Sequence, residues 1–522
     1  MDPILLWARF PRPYKTFGIV GVRFSDLLSG PRFDPCPEKY LQKRLEAPAP
    51  NSSTQSQTEE AIVTHLCIEN FNTIESIDLP LKDLLIFIGA QASGKSTISK
   101  AIYFFKSLRD DLSIYLQEEC YAKGHFDTSI ATFAKQAKQK FIKIYGTVNQ
   151  FPNLKLHYDY GDNLSRGEGS LTVTIQPSPN SQYTDIIFSD KFRTQFRNLV
   201  KKTQDFHQES LQSSPLNFFS PQREISAQKT REANFFEELN TEINRLFGDD
   251  RDLLFIPAGR SVITSLSLQR YNIDLRDTNS DNLSEGIKLD YLMKLFIERI
   301  DRVKPLFQRT IAEWFDQQVN ARESAHQKQL QIAQDLLNNI LQGQYRYTND
   351  REFLEFKSGQ TSQINFASSG QQEVLWILLF VFLLILNERK VFLVIEEPEA
   401  HLFPIAQKQV IDLMALLANQ SENQVIVTTH SPYILAAYNN LLYAHQLGHK
   451  TGQTPDQAAQ VSEIVDPLLW LNPDRLGAYM VENGGVREIV DPENHLIYSA
   501  EIDRASEIIV DTFNQLFDLD DE

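Results

Sequence analysis

The sequence predicts an α/β fold with a mostly helical insertion, and three observations carry that reading. Short apolar, β-branched runs at 84–88 (LLIFI), 391–395 (VFLVI) and 425–427 (VIV) have the continuous character of strands buried on both faces. Helical patterns separate such runs, as in a sheet built from parallel strands. Between the first run and the other two lies a long stretch, 186–350, that is mostly polar with helical spacing.

Length and composition set the bounds. A chain of 522 residues, at about 100–200 residues per domain, holds roughly two to four units. With 42% hydrophobic and 23% charged residues it is composed like an ordinary soluble globular protein. A net charge of -17 makes the whole molecule repel nucleic acid and anionic membrane, so any nucleic-acid contact needs a local basic patch. Cys36, Cys67 and Cys120 are odd in number and match no metal-site spacing, which reads as reduced thiols in a cytoplasmic protein. No secretory signal is visible: Arg9 interrupts the first apolar run, and Pro11 and Pro13 follow at once. The longest apolar run, 374–386, is thirteen residues against the roughly 20 a membrane span needs. It reads as a buried helix, and no membrane association is expected.

In chain order, 1–60 is rich in Pro, Ser and Gln and reads as an extension and linker outside the core. Strands are expected at 62–68, 71–81 and 84–88, mostly helix over 98–138, then strands at 141–148, 154–160 and 171–175. Residues 190–247 read as polar helix and 253–256 as a short strand stopped by Pro257-Ala-Gly-Arg260. Leu289, Leu292, Met293, Phe296, Ile300 and Val303 recur at helical spacing, and a further helix runs over 306–341 to Gly343. The expected organisation is 61–185 as a first lobe, 186–350 as insertion, 351–445 as a second lobe and 446–522 as an α/β tail.

The chemistry begins at 86–97, IFIGAQASGKST. Gly89, Gly94, Lys95 and Ser96 fit G-x-x-x-x-G-K-[ST], flanked by a strand before and a helix after. Glycines let the backbone of Ala90, Gln91, Ala92 and Ser93 curl round an anion with its N–H groups turned inward. The helix that follows offers its positive end. Lys95 reaches the β- and γ-phosphates, Ser96 ligates Mg²⁺, and Thr97 bonds the α-phosphate.

Three further segments complete a nucleotide site. In VFLVIEEPEAHLFP (391–404) two carboxylates follow a buried strand: Glu396 is placed to hold Mg²⁺ and Glu397 to polarise an attacking water. In VIVTTHSPYIL (425–435) His430 ends another strand and is placed to sense the γ-phosphate. In FASSGQQEVLWILLF (366–380) Ser368, Ser369, Gly370 and Gln371 open the buried helix, either as a second phosphate site or as an ordinary capping box. One ATP touching both phosphate sites implies two subunits, head to tail.

The order IGAQASGKST, ASSGQQE, LVIEEPEAHLFP, TTHSP resembles the ABC-type ATPases of the SMC, RecF and OLD group. The resemblance implies an ABC-type P-loop ATPase head that uses ATP and Mg²⁺. Lys95 and Ser96 become the Walker A pair, Ser368 and Gly370 signature residues offered in trans, Glu396 the Walker B acid, Glu397 the catalytic base and His430 the switch histidine. Ala-Ser-Ser-Gly-Gln departs from Leu-Ser-Gly-Gly-Gln, and Glu stands for the usual Walker B Asp; both variants resemble those of OLD-like defence ATPases. Gln150 and Gln222 are alternative Gln-loop residues.

A narrower resemblance lies in LLFIPAGRSVI (253–263), NILQGQYRY (339–347) and the C-terminal tail, which are similar to the Septu-type antiphage ATPases (PtuA), including those encoded with retrons. It implies a homodimer or higher homo-oligomer that regulates a separate nuclease subunit of HNH type, in some systems with a retron reverse transcriptase and its DNA. Asp491, Glu493, Glu501 and Asp503 lack the Toprim spacing of OLD nucleases, so no nuclease site is expected here. A RecF- or SMC-like DNA-binding repair ATPase and an ATP-stabilised scaffold with little turnover stand as alternatives. Two features stay open: Arg260, as a phosphate contact or a buried salt bridge, and the basic stretch 191–202, as a nucleic-acid contact or a solvated helix face.

Overall fold

The computed structural model describes residues 64–161, 170–178, 184–212, 221–267, 289–308, 324–420, 422–450 and 455–498, with 500, 508 and 510–516. The extension and linker read at 1–60 and the glycine-rich loop joining the strands at 154–160 and 171–175 lie mostly or wholly outside them.

The strands are β1 His65–Phe71, β2 Ile74–Pro80, β3 Leu84–Ile88, β4 Lys155–Asp159, β5 Thr172–Pro177, β6 Thr184–Phe188 and β7 Asp252–Ile256. They continue with β8 Gln344–Thr348, β9 Arg351–Glu355, β10 Thr361–Gln363, β11 Val391–Glu396, β12 Gln424–Thr429, β13 Leu476–Glu482 and β14 Gly485–Glu488. The central sheet has the order β14-β13-β3-β12-β11-β7. All its pairings are parallel except β13 with β14. Every residue of β3, β11 and β12 is buried, which is why these strands read as unbroken apolar runs. The segment read as insertion supplies β7 to this sheet, and the tail supplies β13 and β14.

A second sheet, β2-β1-β4-β5-β6, is antiparallel throughout. The helix Lys95–Tyr115 lies between the two sheets. Phe105 stacks on Tyr158 of β4 at 5.1 Å, and Tyr103 meets Phe255 of β7 edge-on at 5.3 Å. Leu85, Phe87, Phe392, Val394 and Ile426 close this shared core from the central sheet. The alternate residues Ile86, Leu393, Ile395, Val425 and Val427 are equally buried on the opposite face. The helix Ser369–Leu386 is long and apolar enough to cross a membrane by length and composition, but Leu375 to Val381 are fully buried within the protein.

Of residues 141–148, expected as a strand, 141–145 form instead the end of the helix Ala131–Tyr145, and 146–148, beginning at its C-cap Gly146, have no regular structure. Phe133, Ala137, Phe141 and Ile144 are its buried positions, a helical spacing hidden locally by four bulky residues in five. The short strand β6 and the meander β8-β9-β10 escaped the reading, because their alternation is polar and weak. The helix ending at Leu341 is described from Ser324; 309–323 lie outside the described residues.

Candidate nucleotide-binding site

The phosphate loop joins the buried β3 to the helix Lys95–Tyr115. Gly94 adopts φ 115°, and a Cβ there would lie 2.5 Å from Ile74 Cδ1 and 2.9 Å from Thr73 Oγ1. A Cβ at Gly89 would lie 2.4 Å from the carbonyl oxygen of Val481. Gly89 is therefore required by crowding against backbone, and Gly94 by its positive φ. Gly94 gives the helix no side-chain cap, so the first-turn N–H groups are left for an anion.

Lys95 is 5% exposed and donates from Nζ to the carbonyls of Gly89, at 2.9 Å, and Ala90, at 2.8 Å. Burial pushes its pKa down, and Glu397 and Glu399 work against that shift. The ammonium thus sits in the mouth of the cradle with no carboxylate bonded to it, ready to exchange carbonyls for phosphate oxygens. Two residues absent from the sequence reading brace Thr97. Asn72 Nδ2 donates to Thr97 Oγ1 at 3.2 Å, and Tyr145 donates its hydroxyl to Thr97 O at 2.8 Å. Asn72 occupies the turn between β1 and β2, which only the sheet brings to the loop.

Glu396 ends β11 and is 5% exposed. Its Oε2 accepts from Ala258 N at 3.3 Å, and the Ser96 side chain lies near enough to the carboxylate to pull its pKa down. Oε1 is buried without a hydrogen-bond partner. Burial raises its pKa, against the pull of Lys100 and of the Ser96 and Ala258 hydrogen bonds. An orphaned carboxylate oxygen beside a serine hydroxyl is a fitting donor set for Mg²⁺, which takes one or two carboxylates plus phosphate oxygens. No cluster of three His, Cys, Asp or Glu suited to a metal occurs among the described residues.

Glu397 has φ 47°, an uncommon conformation for a residue with a side chain, and donates its N–H to Thr428 O at 2.8 Å. Its Oε1 stands 3.3 Å from His430 Nε2, and His430 Nδ1 lies 3.5 Å from Lys95 Nζ. Glu399, also missed, accepts from Thr429 Oγ1 and His430 N, both at 2.7 Å, and so fixes the backbone beneath the histidine. Parallel pairing of β3, β12 and β11 brings these three strand ends to one edge.

Ser368 is the N-cap of Ser369–Leu386, in a reciprocal capping box with Gln371. Gln371 N donates to Ser368 Oγ at 3.3 Å, and Ser368 N to Gln371 Oε1 at 3.0 Å. Gln371 Nε2 donates to Leu341 O at 2.7 Å. Ser368 and Ser369 are exposed, while a Cβ on the buried Gly370 would lie 2.6 Å from His401 O. Their hydrogen bonds run within this corner and not to the phosphate loop of the same chain.

Arg260 is fully buried, and its side-chain hydrogen bonds among the described residues go to Pro257, Glu373, Glu396 and Glu397. It pairs with Glu373 at 3.5 Å and donates to four backbone carbonyls, which settles its place as a structural clamp. The turn with Gln150 packs by Phe151 on Phe71, next to Asn72, at 5.4 Å between rings; Gln222 opens the helix Pro221–Phe247. Asp491 caps a turn by accepting from Glu493 N at 2.8 Å, whereas Glu501 and Asp503 lie outside the described residues.

The family model for the AAA ATPase domain, AAA_15, matches residues 62–435, from β1 through the strand end that carries His430. The chain belongs to the AAA_15 family. An OLD nuclease of Thermus scotoductus (strain ATCC 700910 / SA-01) is 26% identical to this AAA_15 chain over 380 residues. The alignment covers 71% of this chain and 59% of that protein's length. Among solved structures, the SMC head with an extended coiled coil derived from Pyrococcus furiosus gives a TM-score of 0.35 at 11% identity, covering 86% of this chain and 99% of that one. The SMC head domain from Thermotoga maritima gives 0.32 at 11% identity, covering 82% and 98%.

Proposed function

We propose that this chain binds and hydrolyses ATP in a pocket shared by two copies of itself, and that in antiphage defence it governs a separate nuclease. The carrying observation is the line Lys95–His430–Glu397 on one sheet edge, with Glu396 and Ser96 beside it. ATP with Mg²⁺ supplies the scissile anhydride and neutralises its charge. Lys95 and the loop N–H groups hold the phosphates, Ser96 and Glu396 hold the cation, Glu397 accepts a proton from water, and His430 orients against the γ-phosphate. Ser368, Ser369, Gly370 and Gln371 face the partner's nucleotide, which the exposure of Ser368 and Ser369 and the group's hydrogen bonds to its own corner support. On this reading 61–185 and 351–445 are the two lobes of the head, with 186–350 inserted and 446–522 appended.

Glu397→Gln tests the reading: ATP then accumulates unhydrolysed and drives dimerisation, seen by sedimentation velocity and phosphate release. A monomeric variant that hydrolyses ATP normally refutes the assigned roles. Copurification of an HNH nuclease from the native operon tests the defence role.

One observation favours a second reading, a DNA-binding repair ATPase. Arg193, Arg197 and Lys201 are exposed at successive turns of the helix Asp190–Gln212, whose Phe192, Phe196 and Leu199 are buried. Lys202 is instead paired with Glu242. Arg197→Glu with Lys201→Glu removes ATP-dependent DNA binding on this second reading and leaves it unchanged on the first.

A further inference from the structure

We propose that Arg260, clamped between the signature helix and the Glu396–Glu397 strand end, is the positioning residue that couples the two nucleotide pockets of the dimer. The inference rests on the shared-pocket reading above and deepens it.

The guanidinium is fully buried, and its fork is spent on backbone. Nε donates to Glu373 O at 2.7 Å, Nη1 to Pro257 O and Glu396 O at 2.7 Å each, and Nη2 to Glu397 O at 2.9 Å. The Glu373 carboxylate, 2% exposed, answers by accepting from Arg260 N and Ser261 N at 2.9 Å each. Three segments distant in sequence are thereby held by one planar, always-charged group. A lysine has three N–H donors on a single nitrogen against the five of the guanidinium fork, and cannot meet four carbonyls in this spread.

The two ends of the clamp serve different nucleotides. Glu397 acts on the ATP bound by its own chain. Ser368 stands one turn before Glu373, on the helix offered to the ATP of the partner. A shift of that helix on engaging the partner's phosphates moves Glu373 O. Arg260 then either carries Glu396 and Glu397 with it or leaves a buried carbonyl without a donor. A dry, saturated cluster of this kind has discrete arrangements and few intermediate ones. Occupancy of one pocket is thus reported to the catalytic carboxylate of the other.

Arg260→Lys in the full-length chain tests this, alone and combined with Glu397→Gln. The single variant is expected to lower kcat by roughly tenfold or more while KM for ATP changes by less than about threefold. In the Glu397→Gln background, ATP-dependent self-association by sedimentation velocity weakens by about tenfold or more, with fluorescent-ATP binding to the monomer unchanged. Glu373→Gln, which keeps the clamp's volume and one acceptor, shows the same paired losses to a smaller degree and stands in if Arg260→Lys does not fold. Loss of kcat with self-association intact, or the reverse, overturns the coupling alone. Glu397→Gln that stays monomeric with ATP overturns the shared pocket, and the coupling with it.

Discussion

His430 and Glu397 meet across two strand ends, Nε2 to Oε1 at 3.3 Å, while the other ring nitrogen of His430 faces the Lys95 ammonium at 3.5 Å. The imidazole therefore spans the gap between the Lys95 ammonium and the Glu397 carboxylate. Its backbone N–H is held by Glu399 Oε1 at 2.7 Å, which fixes where the ring is attached.

Replacing His430 by Ala breaks that span and leaves the cradle intact. ATP affinity is expected to stay within a few-fold, and turnover to fall by roughly 10²-fold or more, the usual worth of one oriented group in the transition state. Phosphate release against equilibrium nucleotide binding separates the two effects.

If Glu396 holds the cation as proposed, cation binding should depend on pH. Its raised pKa means that the nucleotide-free fold favours the protonated carboxyl. The stability it contributes is full below the ordinary glutamate pKa and is lost as pH rises through the raised value. Mg²⁺ requires the ionised form, so metal-dependent nucleotide affinity runs the opposite way and weakens as pH falls through that same value. Glu396→Gln should weaken binding and flatten its pH profile, as titration calorimetry across mildly acidic to neutral pH will show.

Gly370 separates folding from pairing. An added Cβ would be driven to 2.6 Å from His401 O, a backbone atom that can yield only by moving the loop after Glu397. Gly370→Ala is expected to cost about 1–3 kcal/mol of stability through overpacking. It should abolish ATP-dependent dimerisation while binding of ATP to the monomer persists. Thermal unfolding and sedimentation velocity read the two separately.

Much of this site was legible because its signals are local. The phosphate loop, the paired acids after β11 and the histidine after β12 each sit within one strand–loop unit, and the parallel registers bring them together. What escaped depends on contacts made at long range. Glu373 reads as one more polar residue at a helix start, and only the arrival of Arg260 from 113 positions away gives it a role. Asn72 reads as a turn residue until β1 and β2 carry it to Thr97. The strand expected at 141–148 failed for a related reason: the bulky residues there face Phe71 and Phe104 from a helix, and tertiary packing overrode their β preference.

A buried charge cluster ties the phosphate-loop helix to the segment that enters β7 of the central sheet. Lys106 and Asp249 form an ion pair of 2.5 Å with side chains 9% and 10% exposed, and Arg109 donates to Asp249 O at 2.9 Å and Arg251 O at 2.5 Å. Burial pushes the Asp249 pKa up, but Lys106, Arg251 and Arg109 together outweigh it and hold the carboxyl below the usual range. A depressed carboxylate contributes stability above its unfolded pKa and loses it as pH falls through the lower folded value. The wild-type protein should therefore show an acid limb in its urea midpoint that Asp249→Asn flattens. At neutral pH Asp249→Asn should cost about 3–5 kcal/mol, because it leaves the buried Lys106 ammonium beside Arg109 and Arg251 without its counter-charge. Lys106→Met combined with Asp249→Asn should recover part of that loss. The double variant removes the stranded ammonium, Arg109 keeps its pairing with Asp110, and the recovery is partial because Arg251 still loses Asp249; the methionine can pack against Phe392, over whose ring the ammonium now lies at 5.0 Å. A double variant no more stable than Asp249→Asn would show that geometry, rather than desolvated charge, is what the pair provides.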